Sequence, residues 1–201
     1  MAEIDYYLSL QSPWTFLGHD RIVRYAQTSG ATLNIYPCQF GEVFSSTGGL
    51  PLPKRSPQRQ AYRLLELKRW SRQLSVDLTL EPKYFPAREQ LSAYCVVALR
   101  ETGQVNQAVD FAGKVLASIW TKELDTGDQA VLERLLVSCG ADVTAVLERA
   151  QKPETAEVYA ADTKHAISRG VFGAPSYVVD DELFWGQDRL QFVAAKLGVE
   201  A

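Results

Sequence analysis

The sequence predicts an α/β fold interrupted by a large all-helical insertion, and three observations carry that prediction. Strand and helix patterns alternate as β-α-β within the first 37 residues. A long middle stretch, from about residue 60 to 169, shows helical periodicity alone. Strands return only at the end, in the order β-β-α. With 201 residues, 46% of them hydrophobic, the chain can bury a sizeable core as one domain or as a domain with an insertion.

The first strand is Ile4-Asp5-Tyr6-Tyr7-Leu8-Ser9-Leu10, short, aromatic and apolar. Ser12-Pro13 then closes it and opens a helix, because Ser is a favoured N-cap and Pro is favoured at the first helical position. Phe16, Ile22, Val23 and Ala26 fall on one face of that helix, and Gly30 stops it. Thr32-Leu33-Asn34-Ile35-Tyr36 forms the second strand. Residues 41–60 hold Gly41, Gly48, Gly49, Pro51, Pro53 and Pro57 with Lys54, Arg55 and Arg59, and read as a long loop. Helices follow around Leu64, Leu67 and Leu74, then around Leu91, Tyr94, Cys95 and Ala98, with Pro82 and Pro86 breaking the array between them. The stripe Val105, Ala108, Val109, Ala112, Val115, Leu116 and Ile119 is close to an ideal amphipathic helix. Two further apolar stripes run through Val131 to Leu136 and Val143 to Ala150. Ser176-Tyr177-Val178-Val179 and Glu182-Leu183-Phe184-Trp185 form a hairpin across Asp180-Asp181, and Gln187 to Leu197 closes the chain as a helix. There is no repeat and no low-complexity tract. Removing the middle leaves the element order of a thioredoxin fold, so residues 1–40 and 170–201 are expected to form one thioredoxin-like domain. Residues 41–169 are then a loop plus a helical insertion domain.

Composition narrows the function. A net charge of −3 creates no global basic field, so neither nucleic acid nor an acidic membrane surface is an expected partner. Met1-Ala2-Glu3-Ile4 has no basic n-region or apolar h-region, no apolar run reaches bilayer length, and the final residues are not a peroxisomal tripeptide. A soluble cytoplasmic protein is expected. Cys38, Cys95 and Cys139 form no C-x-x-C, zinc or disulfide spacing, and their apolar settings predict three buried thiols. His19 falls on the apolar face of the first helix and reads as a packed residue. His165, among Asp162, Lys164 and Arg169, reads as part of a solvated helix surface. No local cluster of His and carboxylates suggests a metal site.

Two places can carry chemistry. At Ser12 a hydroxyl stands beside unpaired helix N–H groups and the positive end of a helix dipole, which stabilise an anion. There is no G-x-S-x-G and no evident His base to make Ser12 a nucleophile. At Gly173-Ala174-Pro175-Ser176 a Pro enters the third strand, as in the cis-proline loop of thioredoxin-like proteins. There the backbone of Ala174 would turn toward the end of the first helix, its N–H and C=O free to pair with an extended ligand.

The segments Asp5 to Leu17, with Ser12-Pro13-Trp14-Thr15, Gly170-Val171-Phe172-Gly173-Ala174-Pro175-Ser176 and Leu183-Phe184-Trp185-Gly186-Gln187-Asp188-Arg189-Leu190 together resemble 2-hydroxychromene-2-carboxylate isomerases. These are relatives of kappa-class glutathione transferases in the DsbA-like group of thioredoxin folds. The resemblance runs along nearly the whole chain, through Arg69-Trp70, Tyr84-Phe85-Pro86 and Trp120-Thr121-Lys122-Glu123-Leu124-Asp125.

The resemblance implies glutathione as cofactor, a small aromatic carboxylate as substrate and a homodimer. Ser12 stands at the first position of what would be C-x-x-C in a disulfide oxidoreductase, so thiol–disulfide exchange through this motif is chemically closed. Its implied role is to activate the glutathione sulfur. Ala174 and Pro175 would take the cysteinyl part, and Gln187 and Asp188 the γ-glutamyl end, with Asp188 meeting the ammonium. Lys54 would supply a cation to the substrate carboxylate or to the glycyl end. Tyr84, Phe85 and Trp120 would wall an aromatic substrate. Family members commonly carry Thr-Gly-Asn where this chain reads Thr47-Gly48-Gly49, so Gly49 stands in place of a ligand-touching Asn. The implied reaction is reversible thiolate addition, bond rotation and elimination. A kappa-like transferase, in which the thiol stays attached, and a non-catalytic glutathione- or peptide-binding module are the alternatives.

Overall fold

The computed structural model describes residues 2–201. Its sheet has four strands in the order β2-β1-β3-β4: β1 (Glu3–Leu8), β2 (Thr32–Pro37), β3 (Ser176–Val179) and β4 (Glu182–Trp185). β1 pairs parallel with β2, Tyr6 opposite Ile35, and antiparallel with β3, Tyr7 opposite Ser176. β3 and β4 form the expected hairpin, and its two turn residues, Asp180 and Asp181, both have positive φ. The parallel pair is bridged by α1 (Pro13–Ser29). Between β2 and β3 run α2 (Phe40–Thr47), α3 (Pro57–Gln73), α4 (Gln90–Glu101), α5 (Val105–Trp120), α6 (Gln129–Ser138), α7 (Val143–Ala150) and α8 (Pro153–Ser168), and α9 (Leu190–Leu197) ends the fold. This is the DsbA-like thioredoxin fold with its helical insertion.

Strand periodicity divides the core. Ile4, Tyr6 and Leu8 enter one cluster with Ile22 and Tyr25 of α1, Cys95 to Leu99 of α4, Ala108 to Val115 of α5 and Leu190 and Val193 of α9. Tyr7 points the other way, to Cys38, Phe40, Val43, Ala166, Val171 and Val178. A third cluster joins Leu17 of α1 to Leu67 of α3, Leu78, Ile119 and Trp120, with Trp14, Trp70 and Phe85 packed around it.

The long loop expected over residues 41–60 is instead α2, a short 3-10 turn at Leu52–Lys54, and the start of α3. Phe40 and Val43 are buried on one face of α2, against α8. Burying such side chains is worth roughly 1.5–3 kcal/mol each. A glycine inside a helix costs only about 1 kcal/mol, so packing overrides the poor propensity of Gly41. The closing helix also differs from expectation, since Gln187–Arg189 is a 3-10 turn and α9 starts at Leu190.

Two expectations about burial are corrected as well. Asp162 is buried rather than solvated, because both its oxygens accept from Arg100, at 2.8 and 3.2 Å. Cys38 and Cys95 are buried, whereas Cys139 is half-buried with its Sγ 3.6 Å from Lys114 Nζ. No helix among the described residues is long and apolar enough to cross a membrane.

Candidate active site

Ser12 is the N-cap of α1: its Oγ accepts from the Thr15 N–H at 3.3 Å, and its carbonyl accepts from the Phe16 N–H at 3.0 Å. A hydroxyl has one proton to donate, and that proton is not used in this cap. The Trp14 N–H, at the second helical position, belongs to the first turn, whose donors have no intrahelical acceptor. A hydroxyl donor and helix N–H groups therefore converge on one half-exposed spot at the positive end of a helix of 17 residues.

The second wall comes from the sheet. Because Ser176 pairs with Tyr7, the Ala174-Pro175 segment enters the sheet at the end where the chain leaves β1 for Ser12. The Ala174–Pro175 bond is cis, as the motif implied. The Pro175 carbonyl accepts from the Gly186 N–H at 2.9 Å, and the Ser176 Oγ donates to the Gly173 carbonyl at 2.7 Å. The first bond ties the proline loop to the residue that leads into the Gln187–Arg189 turn, and the second closes the loop on itself. Gly173 permits a close approach: a Cβ there would lie 2.3 Å from Trp185 Nε1.

Gln187 does not present its side chain to this wall as expected. It is buried, its Oε1 accepts from Arg21 Nη1 at 3.2 Å, and its backbone carbonyl accepts from Arg21 Nη2. Gln187 thus locks the turn onto α1. Asp188 beside it is half-exposed and pairs with Arg189 at 2.7 Å, an exposed contact of the kind worth under about 1 kcal/mol and easily exchanged for a ligand ammonium.

Phe85 and Trp120 pack in one cluster with Trp14 and Leu17 at the start of α1. Phe85 and Tyr84 are half-buried, and the Phe85 ring is 5.0 Å from that of Trp120. Trp120 is fully buried, so it is the floor under Phe85 and not a substrate-facing wall. Lys54 ends its 3-10 turn as an exposed side chain and joins no ion pair among the described residues. Gly49 lies against Phe44, and a Cβ there would come within 2.5 Å of the ring. An Asn at this position would displace Phe44.

Two residues of the site were missed by sequence reasoning. The Glu89 carboxylate lies beneath the loop leading to Ser12, accepting from Ser9 Oγ at 2.7 Å, from the Gln11 N–H at 3.2 Å and from Gln11 Nε2 at 2.9 Å. Burial pushes its carboxyl above the ordinary range, although bonds from Gln11 and Ser9 pull the other way. Arg63 of α3 stands over Phe85 and Trp120. No local pattern marks Glu89, whose partners are 78 to 80 positions away in sequence.

The two histidines are engaged away from Ser12. His19 Nε2 donates to the Val109 carbonyl at 3.1 Å, leaving Nδ1 to accept from Tyr6 Oη at 3.3 Å. Burial lowers its pKa, so it is a packed neutral imidazole. His165 is exposed on α8 and its Nδ1 lies 3.2 Å from Tyr7 Oη.

A thioredoxin sheet split by a helical block, with a capping serine facing a cis-proline loop, defines a class. It is the DSBA-like thioredoxin domain, which the chain matches over residues 3–198. Within that class it is 31% identical over 195 residues to 2-hydroxychromene-2-carboxylate isomerase of Sphingobium xenophagum, across 96% of this chain and 97% of that one. The enzyme of the same name from Pseudomonas putida is 24% identical over 196 residues, across 97% and 94%. A solved structure of a 2-hydroxychromene-2-carboxylate isomerase shares the fold, with a TM-score of 0.83 and 22% identity over 98% of this chain and 94% of that one. The chain belongs to the 2-hydroxychromene-2-carboxylate isomerase family.

Proposed function

We propose that the protein is a glutathione-dependent isomerase that converts 2-hydroxychromene-2-carboxylate to trans-o-hydroxybenzylidenepyruvate, or handles a related intermediate of aromatic degradation. The observation that carries this reading is a capping serine, with an undonated proton, at the helix end where a disulfide oxidoreductase needs a cysteine. The chain's three cysteines lie elsewhere, so the sulfur must come from a bound thiol. The relatives named above, across nearly their whole lengths, support isomerisation as the reaction.

The residues present fit glutathione. Ser12 and the first turn of α1 offer donors to a thiolate. The Gly173-Ala174 backbone offers an extended edge to the cysteinyl amide, and the Asp188 carboxylate suits the γ-glutamyl ammonium. When bound, glutathione supplies a thiolate that adds to the conjugated double bond of the ring-opened acceptor and leaves after rotation about the resulting single bond. Ser12 would stabilise the thiolate before addition and again as elimination returns the charge to sulfur, so no proton on sulfur has to be removed at each turnover. A free thiol has a pKa of ~8.5, and helix N-termini are among the environments that lower it. A fall of about two favours thiolate by roughly 3 kcal/mol at fixed pH. Phe85, on its Trp120 floor, orients the ring of the acceptor.

A coupled assay with 2-hydroxychromene-2-carboxylate tests the proposal. Turnover is expected only with glutathione present and with no net glutathione consumed. Turnover unchanged without glutathione overturns the mechanism, and release of a stable conjugate would make the protein a transferase.

A further inference from the structure

Arg63 sits one helical turn before Leu67 on α3, half-buried, with its guanidinium carbon 5.4 Å from the Phe85 ring centroid and 5.9 Å from that of Trp120. Its Nη2 is buried without a hydrogen-bond partner among the described residues. It takes part in none of their ion pairs. The charged group that acts on it is Arg55, a second cation. Burial, reinforced by Arg55, brings the Arg63 pKa down to about 10. Taking one nitrogen of a guanidinium out of water without an acid to meet it is costly. The contrast with Arg100 is direct, since that buried guanidinium has Asp162 and the Ile35 carbonyl to satisfy it.

The place Arg63 occupies gives the missing partner a chemistry. Phe85 and Trp120 pack in one cluster with Trp14 and Leu17 of α1, so the ledge under Arg63 continues to the helix turn that Ser12 caps. A cation facing an aromatic ledge beside a thiol site matches a molecule with a ring and a carboxylate. A guanidinium presents its N–H groups as a planar fork that suits a carboxylate better than a point charge does.

We propose that Arg63 is the carboxylate-binding residue of the acceptor site, its Nη2 donating to the carboxylate of an aromatic acid whose ring lies on Phe85. This rests on the reading of Ser12 as the holder of a thiolate for such an acceptor. A second carboxylate, the glycyl end of glutathione, has the same charge but brings no ring to the Phe85 ledge. The exposed Lys54 is a cation available to it.

Calorimetric titration with trans-2-hydroxycinnamate and with its primary amide separates these sources without relying on turnover. Wild type is expected to bind the acid about tenfold or more tighter than the amide, the difference that one charge-assisted pair supplies. Arg63→Gln, at an unfolding midpoint no lower than wild type, should bind acid and amide alike. Arg63→Lys should recover part of the preference, and all three proteins should bind glutathione equally. An R63Q protein that keeps the acid preference overturns the proposal. So does one whose loss falls on glutathione, or a wild type that binds neither probe. A wild type inactive on the chromene that still prefers acid to amide through Arg63 contradicts the isomerase reading while supporting this site.

Discussion

A serine attacks only when a neighbouring base takes its proton, and both imidazoles of this chain are occupied elsewhere, His19 by Tyr6 and Val109 and His165 by Tyr7. Ser12 is a helix cap whose hydroxyl has no imidazole beside it to make it a nucleophile. The cap itself was legible in the sequence because Ser-Pro before an apolar periodic run is a local signal. Glu89 was not, because its role is made by folding: its carboxylate holds Ser9 and Gln11 from a distant segment. A carboxyl whose pKa is raised in the folded state binds its proton more tightly there than in the unfolded chain. Folding stability then falls as pH climbs from the unfolded value, ~4.3 for Glu, toward the folded one. Against Glu89→Gln, wild type should accordingly be at its relative best below that range and lose ground as pH rises, read from urea midpoints at a series of pH values. A difference that stays constant with pH contradicts the raised carboxyl.

At the scale of elements, legibility followed the strength of local signals. α1 was readable at both ends, from Ser12-Pro13 and from Gly30, which adopts positive φ and closes the helix through bonds back to Ala26 and Gln27. α2 was not, because Gly41 and the glycines and prolines after the helix look like loop chemistry while its stability comes from Phe40 and Val43 meeting α8. The same region holds Gly49. Its close contact with Phe44 predicts that Gly49→Asn forces the ring aside and costs about 1–3 kcal/mol, the usual penalty of overpacking. Chemical denaturation measures that directly, and an unchanged midpoint would mean that Phe44 moves freely.

Over the whole molecule, the helical block and the thioredoxin strands share one apolar cluster, from Ile4 and Tyr6 in β1 to Leu99 in α4 and Ala112 in α5. The order of elements in the sequence made the insertion visible, but order alone does not say which faces meet. The bidentate pair of Arg100 on α4 with Asp162 on α8, together with the bond from Arg100 to the Ile35 carbonyl of β2, pins the block to the sheet. Removing Asp162 takes away the bidentate partner and leaves Arg100 only Glu101 and the Ile35 carbonyl, so Asp162→Ala should destabilise the fold by about 1.5–3 kcal/mol. Wild type should unfold in one transition by both tryptophan fluorescence and circular dichroism, as shared packing requires. Two separated transitions would show that the block folds on its own.

The central claim is that Ser12 and the first turn of α1 keep a borrowed sulfur ionised. Titrating the ultraviolet absorbance of the thiolate of glutathione bound to wild type and to Ser12→Ala tests it most directly. The account predicts a midpoint in wild type about two pH units below the ~8.5 of a free thiol, moving back toward the free value when the hydroxyl is removed. Bound glutathione that titrates in wild type as it does in free solution would contradict it.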